Sequence, residues 1–150
     1  MKIRRYKNED CDTVSELFYE TVHAVNARDY TAEQLSVWAN SADSLKSRRI
    51  DLLKQSTLIA EINGVIVGFG SIDKSGCLDL LFTHKDYRKQ GVATALCNAL
   101  EKAFSMVKTY ASITAKPFFE KRGYSVVKAQ EVERCGVQLK NYVMIKKNAT

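Results

Sequence analysis

A basic, glycine-bearing loop between an apolar run and a helical repeat constrains this chain most. Cys77-Leu78-Asp79-Leu80-Leu81-Phe82-Thr83 reads as a strand, and after Tyr87-Arg88-Lys89-Gln90-Gly91 the positions Val92, Leu96, Ala99, Leu100, Ala103, Phe104 and Val107 recur at helical spacing. The order is strand, loop, helix, with the helix predicted from about Gly91 to Val107. A helix start leaves backbone N–H groups without partners at the positive end of the macrodipole, so main chain alone can hold a phosphate there. Gly91 has no side chain and Ala93 only a methyl, which permits close approach, and Arg88 and Lys89 add charge at the rim.

On either side of that loop the period of the apolar residues sets the rest of the order. Lys2 to Tyr6 alternates as a short edge strand, and Val14, Leu17, Phe18, Val22 and Val25 mark one buried helical face, which Asp10 or Asp12 can cap. Thr31 with Gln34 resembles a capping box opening a second helix through Leu35 and Trp38; a third helical stretch covers roughly Ser44 to Leu53, with Arg48 and Arg49 solvated. From Thr57 the period becomes strand-like, and Asn63-Gly64 joins two strands as a hairpin. Ser75-Gly76 then turns into the Cys77–Thr83 strand. A strand over Thr109–Ile113, a short helix over Lys116–Lys121, and two strands paired across Cys135-Gly136 complete an α/β (α+β) chain with a largely antiparallel sheet flanked by helices.

At 150 residues the chain is predicted to form a single domain, 1–150. Its 45% hydrophobic and 27% charged residues are a globular composition, and no run approaches the roughly 20 apolar residues of a membrane span, which reads as a cytoplasmic protein. Cys11, Cys77, Cys97 and Cys135 are scattered and His23 and His84 are dispersed, so neither a disulfide framework nor a metal site is predicted. The net charge of +6 has no long basic run behind it and argues for attraction of an anionic ligand more than for nucleic-acid binding.

Two spaced motifs carry a family resemblance. Arg88-x-x-Gly91-x-Ala93 resembles the Q/R-x-x-G-x-G/A loop of the GNAT (Gcn5-related N-acetyltransferase) superfamily, which holds the coenzyme A pyrophosphate. Downstream, Ser112-x-x-Ala115-x-x-Phe118-Phe119-x-x-x-Gly123-Tyr124 is similar to the later signature of that family. The segment from Val22 to Tyr30 with Gln34 and Trp38, together with Pro117-Phe118-Phe119 and Asn141-Tyr142-x-Met144, resembles the YafP-like branch of N-acetyltransferases. The resemblance implies the GNAT fold, in which the strand before the loop and the strand at Thr109–Ile113 splay apart to admit pantetheine. It further implies acetyl-CoA as cofactor and an amine as acceptor, whether a small molecule or a protein amino group; a homodimer is left open.

By that resemblance the cofactor lies on the main chain of Leu81, Phe82 and Thr83, on the loop residues Arg88, Lys89, Gln90, Gly91, Val92, Ala93 and Thr94, and on Ser112, Phe118 and Phe119. Phe119 departs from the family, which often has a proton-donating tyrosine there; Ser112 departs where asparagine is common. The acid is then Tyr142, Ser112 or Tyr30, or water or the substrate ammonium supplies the proton, or transfer is slow and the chain is an acyl-CoA-binding or sensor module. Asp79, an acidic residue in an apolar strand and assigned to the face opposite Leu78 and Leu80, is the candidate base, with the alternative of a surface ion pair. His23, Asn26, Asp29, Tyr30 and Trp38 gather near one helix break and are candidates for the acceptor pocket.

Overall fold

The computed structural model describes residues 1–148. Strand β1 (Lys2–Arg5) precedes helices α1 (Cys11–Ala24), α2 (Ala32–Trp38) and α3 (Arg49–Lys54); β2 (Ser56–Ile62), β3 (Val65–Ile72) and β4 (Cys77–Thr83) follow. Helix α4 (Val92–Glu101), β5 (Met106–Ser112), α5 (Lys116–Lys121), β6 (Ser125–Arg134) and β7 (Val137–Lys147) complete the chain. One seven-stranded sheet runs in the order β1-β2-β3-β4-β5-β7-β6. Its pairs are antiparallel except β4 with β5.

Local chemistry accounts for these elements. Asn63-Gly64 and Cys135-Gly136 both sit at positive φ, the twist that a two-residue hairpin turn needs. Thr31 caps α2 as the sequence indicates, accepting from the Gln34 amide at 3.2 Å while Gln34 Oε1 accepts from the Thr31 amide at 2.9 Å. Asp10 precedes α1 but its carboxylate is taken by the Arg4 guanidinium, at 2.9 Å to each oxygen, and by the Lys7 amide. Helix α4 is shorter than its apolar repeat suggests. It stops at Glu101 because Asn148 donates to the carbonyls of Glu101 and Phe104, and the chain from Met106 joins the sheet.

Helices cover both faces. On one, Val14, Leu17, Phe18 and Val22 of α1 and Leu35 of α2 bury against Ile59, Phe69, Leu80 and Leu139. On the other, Val92, Leu96 and Leu100 of α4 and Phe119 of α5 meet Val67, Ile72, Leu78 and Met144. Helix α4 lies close to β3 because glycines stand beneath it: a Cβ at Gly68 would come within 2.6 Å of Val92 Cγ1, and one at Gly70 within 2.8 Å of Leu100 Cδ1. That approach fixes the start of α4 beside the end of β4. Among the described residues no helix is long and apolar enough to cross a membrane, no group of metal-ligating side chains forms, and all four cysteines are free.

Candidate active site

Strands β4 and β5 pair only at Cys77 with Lys108 and Leu78 with Thr109, then part. The Thr109 hydroxyl donates to the Leu78 carbonyl at 3.0 Å, a rivet at the fork. The arms are held apart from outside. Thr21 of α1 donates to the Thr83 carbonyl at 3.0 Å, and the Tyr30 hydroxyl accepts from the Ile113 amide at 3.0 Å while donating to the Lys140 carbonyl at 2.6 Å. Backbone from Asp79 to Thr83 thereby faces open space on its β5 side, inside a cleft of about 910 Å³.

A β-bulge shapes the fork. Ile72 pairs with Leu78 and Ser71 with Leu80, so Asp79 is the extra residue, and Leu78 and Leu80 fall in different cores. Simple alternation, which set Asp79 opposite both leucines, is therefore corrected: the bulge re-aims the strand at this point. Asp79 lines the cleft and forms an ion pair with Arg48, whose Nη1 also lies 3.5 Å from Asp79 Oδ1. Arg48, expected in solvent, is instead half-buried across the cleft; burial disfavours its charge, but Asp79 and then Asp51 outweigh this and raise its pKa.

At one end of the cleft stands the glycine loop. Lys89 and Gly91 have positive φ, 61° and 82°, and apart from its chain neighbours nothing among the described residues lies within 4 Å of where a Gly91 Cβ would be. The Gly91 carbonyl accepts its first helical bond from Ala95 at 3.0 Å, and no acidic residue occupies the first turn of α4. The amides that open α4 have no carboxylate competing for them, with the Arg88 and Lys89 side chains exposed beside them. An open, cationic helix start leading into unpaired strand backbone fits a phosphate-bearing group with an extended arm.

The structure brings most of the predicted site residues to this cleft. Leu81, Phe82, Thr83, Arg88, Lys89, Gly91, Val92, Ala93, Thr94, Ser112, Phe118, Phe119, Asn26, Tyr30, Trp38 and Asp79 all line it. Gln90, Asp29, His23 and Tyr142 do not. His23 Nε2 is hydrogen-bonded to the Ala39 carbonyl at 2.7 Å, and Asp29 accepts from Thr114 at 2.8 Å, fastening the first turn after β5. The Tyr142 ring lies under Lys116 and Lys140, at 4.9 and 5.4 Å, and packs towards the α5 core. Tyr30 is buried with its proton committed to Lys140, and burial raises the pKa of its hydroxyl. Ser112 Oγ accepts from the Ala115 amide at 3.0 Å, which leaves its own proton free. Phe119 is 3% exposed and packs edge-on against Phe118 and Tyr124.

Sequence reasoning missed Arg48, Arg134, Ser44 and Asn141 as cleft residues. The Asn141 Oδ1 and Ser44 Oγ atoms are buried without a hydrogen-bond partner. An ion pair was one of the readings open for Asp79, but nothing local to it in the sequence points to Arg48 as the partner.

This geometry agrees with the comparisons to known proteins. A family model for the acetyltransferase (GNAT) domain matches residues 26–146, and the chain belongs to that family. It is 36% identical over 144 residues to YafP of Escherichia coli strain K12, an uncharacterized N-acetyltransferase, across 96% of this chain and 94% of the relative. The crystal structure of a GCN5-related N-acetyltransferase from Rhodopseudomonas palustris matches with a TM-score of 0.93 at 35% identity, covering 98% of this chain and 95% of that one. PaiA N-acetyltransferase from Thermoplasma acidophilum, solved in complex with coenzyme A, shares the fold with a TM-score of 0.75 at 19% identity, over 98% of each chain.

Proposed function

We propose that the protein transfers an acetyl group from acetyl-CoA to an amine by direct attack, with both held in the one cleft. The observation that carries this reading is the parting of β4 and β5 beyond Leu78 and Thr109, beside the open helix start at Gly91. Acetyl-CoA supplies the acetyl group as an activated thioester. The amides opening α4, with Arg88 and Lys89, would hold its pyrophosphate, and the β4 edge at Leu81, Phe82 and Thr83, which β5 leaves uncovered, its extended arm.

Among the described residues Asp79 is the one carboxylate lining the cleft, and its place at the bulge supports the reading that it orients the amine and accepts its proton. Arg48 fixes that carboxylate. Phe119 has no proton for the departing thiolate, and the Tyr30 proton is spent on Lys140, so Ser112 and water are the donors we favour. An acyl-enzyme on Cys97 is disfavoured: the side chain is fully buried within α4, and burial pushes its thiol up to about 12.

The missing hydroxyl at Phe119 supports a second reading, a scaffold that binds acyl-CoA as a sensor and transfers slowly or not at all. One experiment separates them. The melting temperature is measured with and without acetyl-CoA, and release of free coenzyme A thiol is followed with a panel of amines. A thermal shift with amine-dependent thiol release supports the enzyme, and a shift alone supports the sensor. Absence of both removes the coenzyme A assignment.

A further inference from the structure

Opposite the glycine loop, the cleft is walled by two helical turns, Asn26–Arg28 and Ser44–Arg48, and floored by the β6–β7 hairpin. Gln130 pairs with Asn141 and Val132 with Leu139, so these side chains share one face of the hairpin, and Arg134 continues it two residues further along β6. Arg28, Arg48, Arg134 and Lys140 line the cleft on this side, and among the described residues Asp79 is the one acidic residue that lines it with them. Arg48 is occupied by Asp79 and Asp51, and Arg28 lies 3.5 Å from Asp29. Arg134 pairs with no carboxylate among the described residues.

Resting on the N-acetyltransferase reading, we infer that the acceptor is a small primary amine that also carries a carboxylate or a phosphate. With Arg28 and Arg48 already paired, Arg134 is the cleft arginine on this side left for an anion, and its guanidinium fork takes carboxylate or phosphate through two parallel bonds, drawing in an amine tethered to one. In the transfer, the nitrogen lone pair forms the C–N bond to the acetyl carbonyl carbon and the C–S bond breaks. Sulphur leaves with its electron pair and gains a proton; nitrogen gives one up to Asp79.

Matched pairs test this: an amino acid against its own carboxamide, and an amino sugar phosphate against the unphosphorylated sugar. Each is scored twice, by kcat/KM for thiol release and by the melting shift it adds to the protein saturated with coenzyme A. The anionic member of one pair is expected to lead by about tenfold or more and to give the larger shift, the pair that responds identifying the anion. R134Q should cut that ratio about fivefold or more, and R134K should keep most of it. Equal or better performance by the neutral members in both pairs and both readouts overturns the inference while leaving acetyl transfer standing. If coenzyme A gives no shift and no thiol is released, the N-acetyltransferase reading and this inference fall together.

Discussion

Arg48 and Asp79 form an ion pair across the cleft, joining the helical turn before α3 to the bulge of β4. The bond crosses from the helical layer to the forked sheet, so it holds the proposed base in place at the wall of the cleft. Asp79→Asn keeps the shape and removes the base. Its kcat/KM should fall by about 10²-fold or more, chiefly below the pKa of the amine itself. Arg48→Gln should cost less, through misplacement of the carboxylate. A pH–rate profile unchanged in D79N would remove Asp79 from this role.

Tyr30 is expected to be a strut and not an acid. Phenylalanine there leaves the Lys140 carbonyl and the Ile113 amide unpaired, at about 1–3 kcal/mol of stability. Urea unfolding of Y30F should show that loss, with transfer changed by less than about tenfold. Ser112→Ala should slow transfer more than Tyr142→Phe, because Ser112 lines the cleft and Tyr142 does not. A large rate loss in Y30F without any loss of stability would reverse the assignment.

Glu101 of α4 sets the acid sensitivity of the fold. Its carboxylate, 3% exposed, accepts from Arg122 at 2.9 and 2.8 Å, from the Tyr124 hydroxyl at 2.5 Å and from Lys146 at 3.2 Å. Burial alone would raise its pKa, but Arg122, Tyr124 and Lys146 together bring it below the ordinary glutamate value. The stability gained is present above the unfolded value of about 4.3 and is lost as pH falls through the lower folded one. Glu101→Gln should cost about 3 kcal/mol at pH 7, with the gap to wild type narrowing in acid. A gap constant from pH 7 to pH 2.5, by urea titration at each pH, would contradict this.

Much of the frame was legible in the sequence because it depends on local chemistry. Asn63-Gly64 fixed a hairpin, Thr31 and Gln34 capped α2, and Gly91 opened α4 where the apolar period begins. The end of α4 was not legible, since Phe104 and Val107 continue a helical period and the stop is made by Asn148, far along the chain. Nor was the bulge at Asp79, which depends on register with β3. The glycine-loop end of the cleft lies largely within one strand-loop-helix segment, whose residues are neighbours in the sequence. The remainder is assembled from Arg28, Arg48, Arg134 and Asn141 on separate elements, so no short motif encodes it.

The glycine loop carries the coenzyme A assignment. Asparagine and aspartate both tolerate the left-handed backbone of Gly91, whose Cβ position is open, so G91N and G91D should fold alike and differ only by one negative charge. Titration calorimetry of acetyl-CoA into wild type, G91N and G91D measures what that charge does. Saturable one-site binding to the wild type is expected, with G91D about tenfold or more weaker than G91N. Equal affinity of the two variants, or no binding by the wild type, would contradict that assignment.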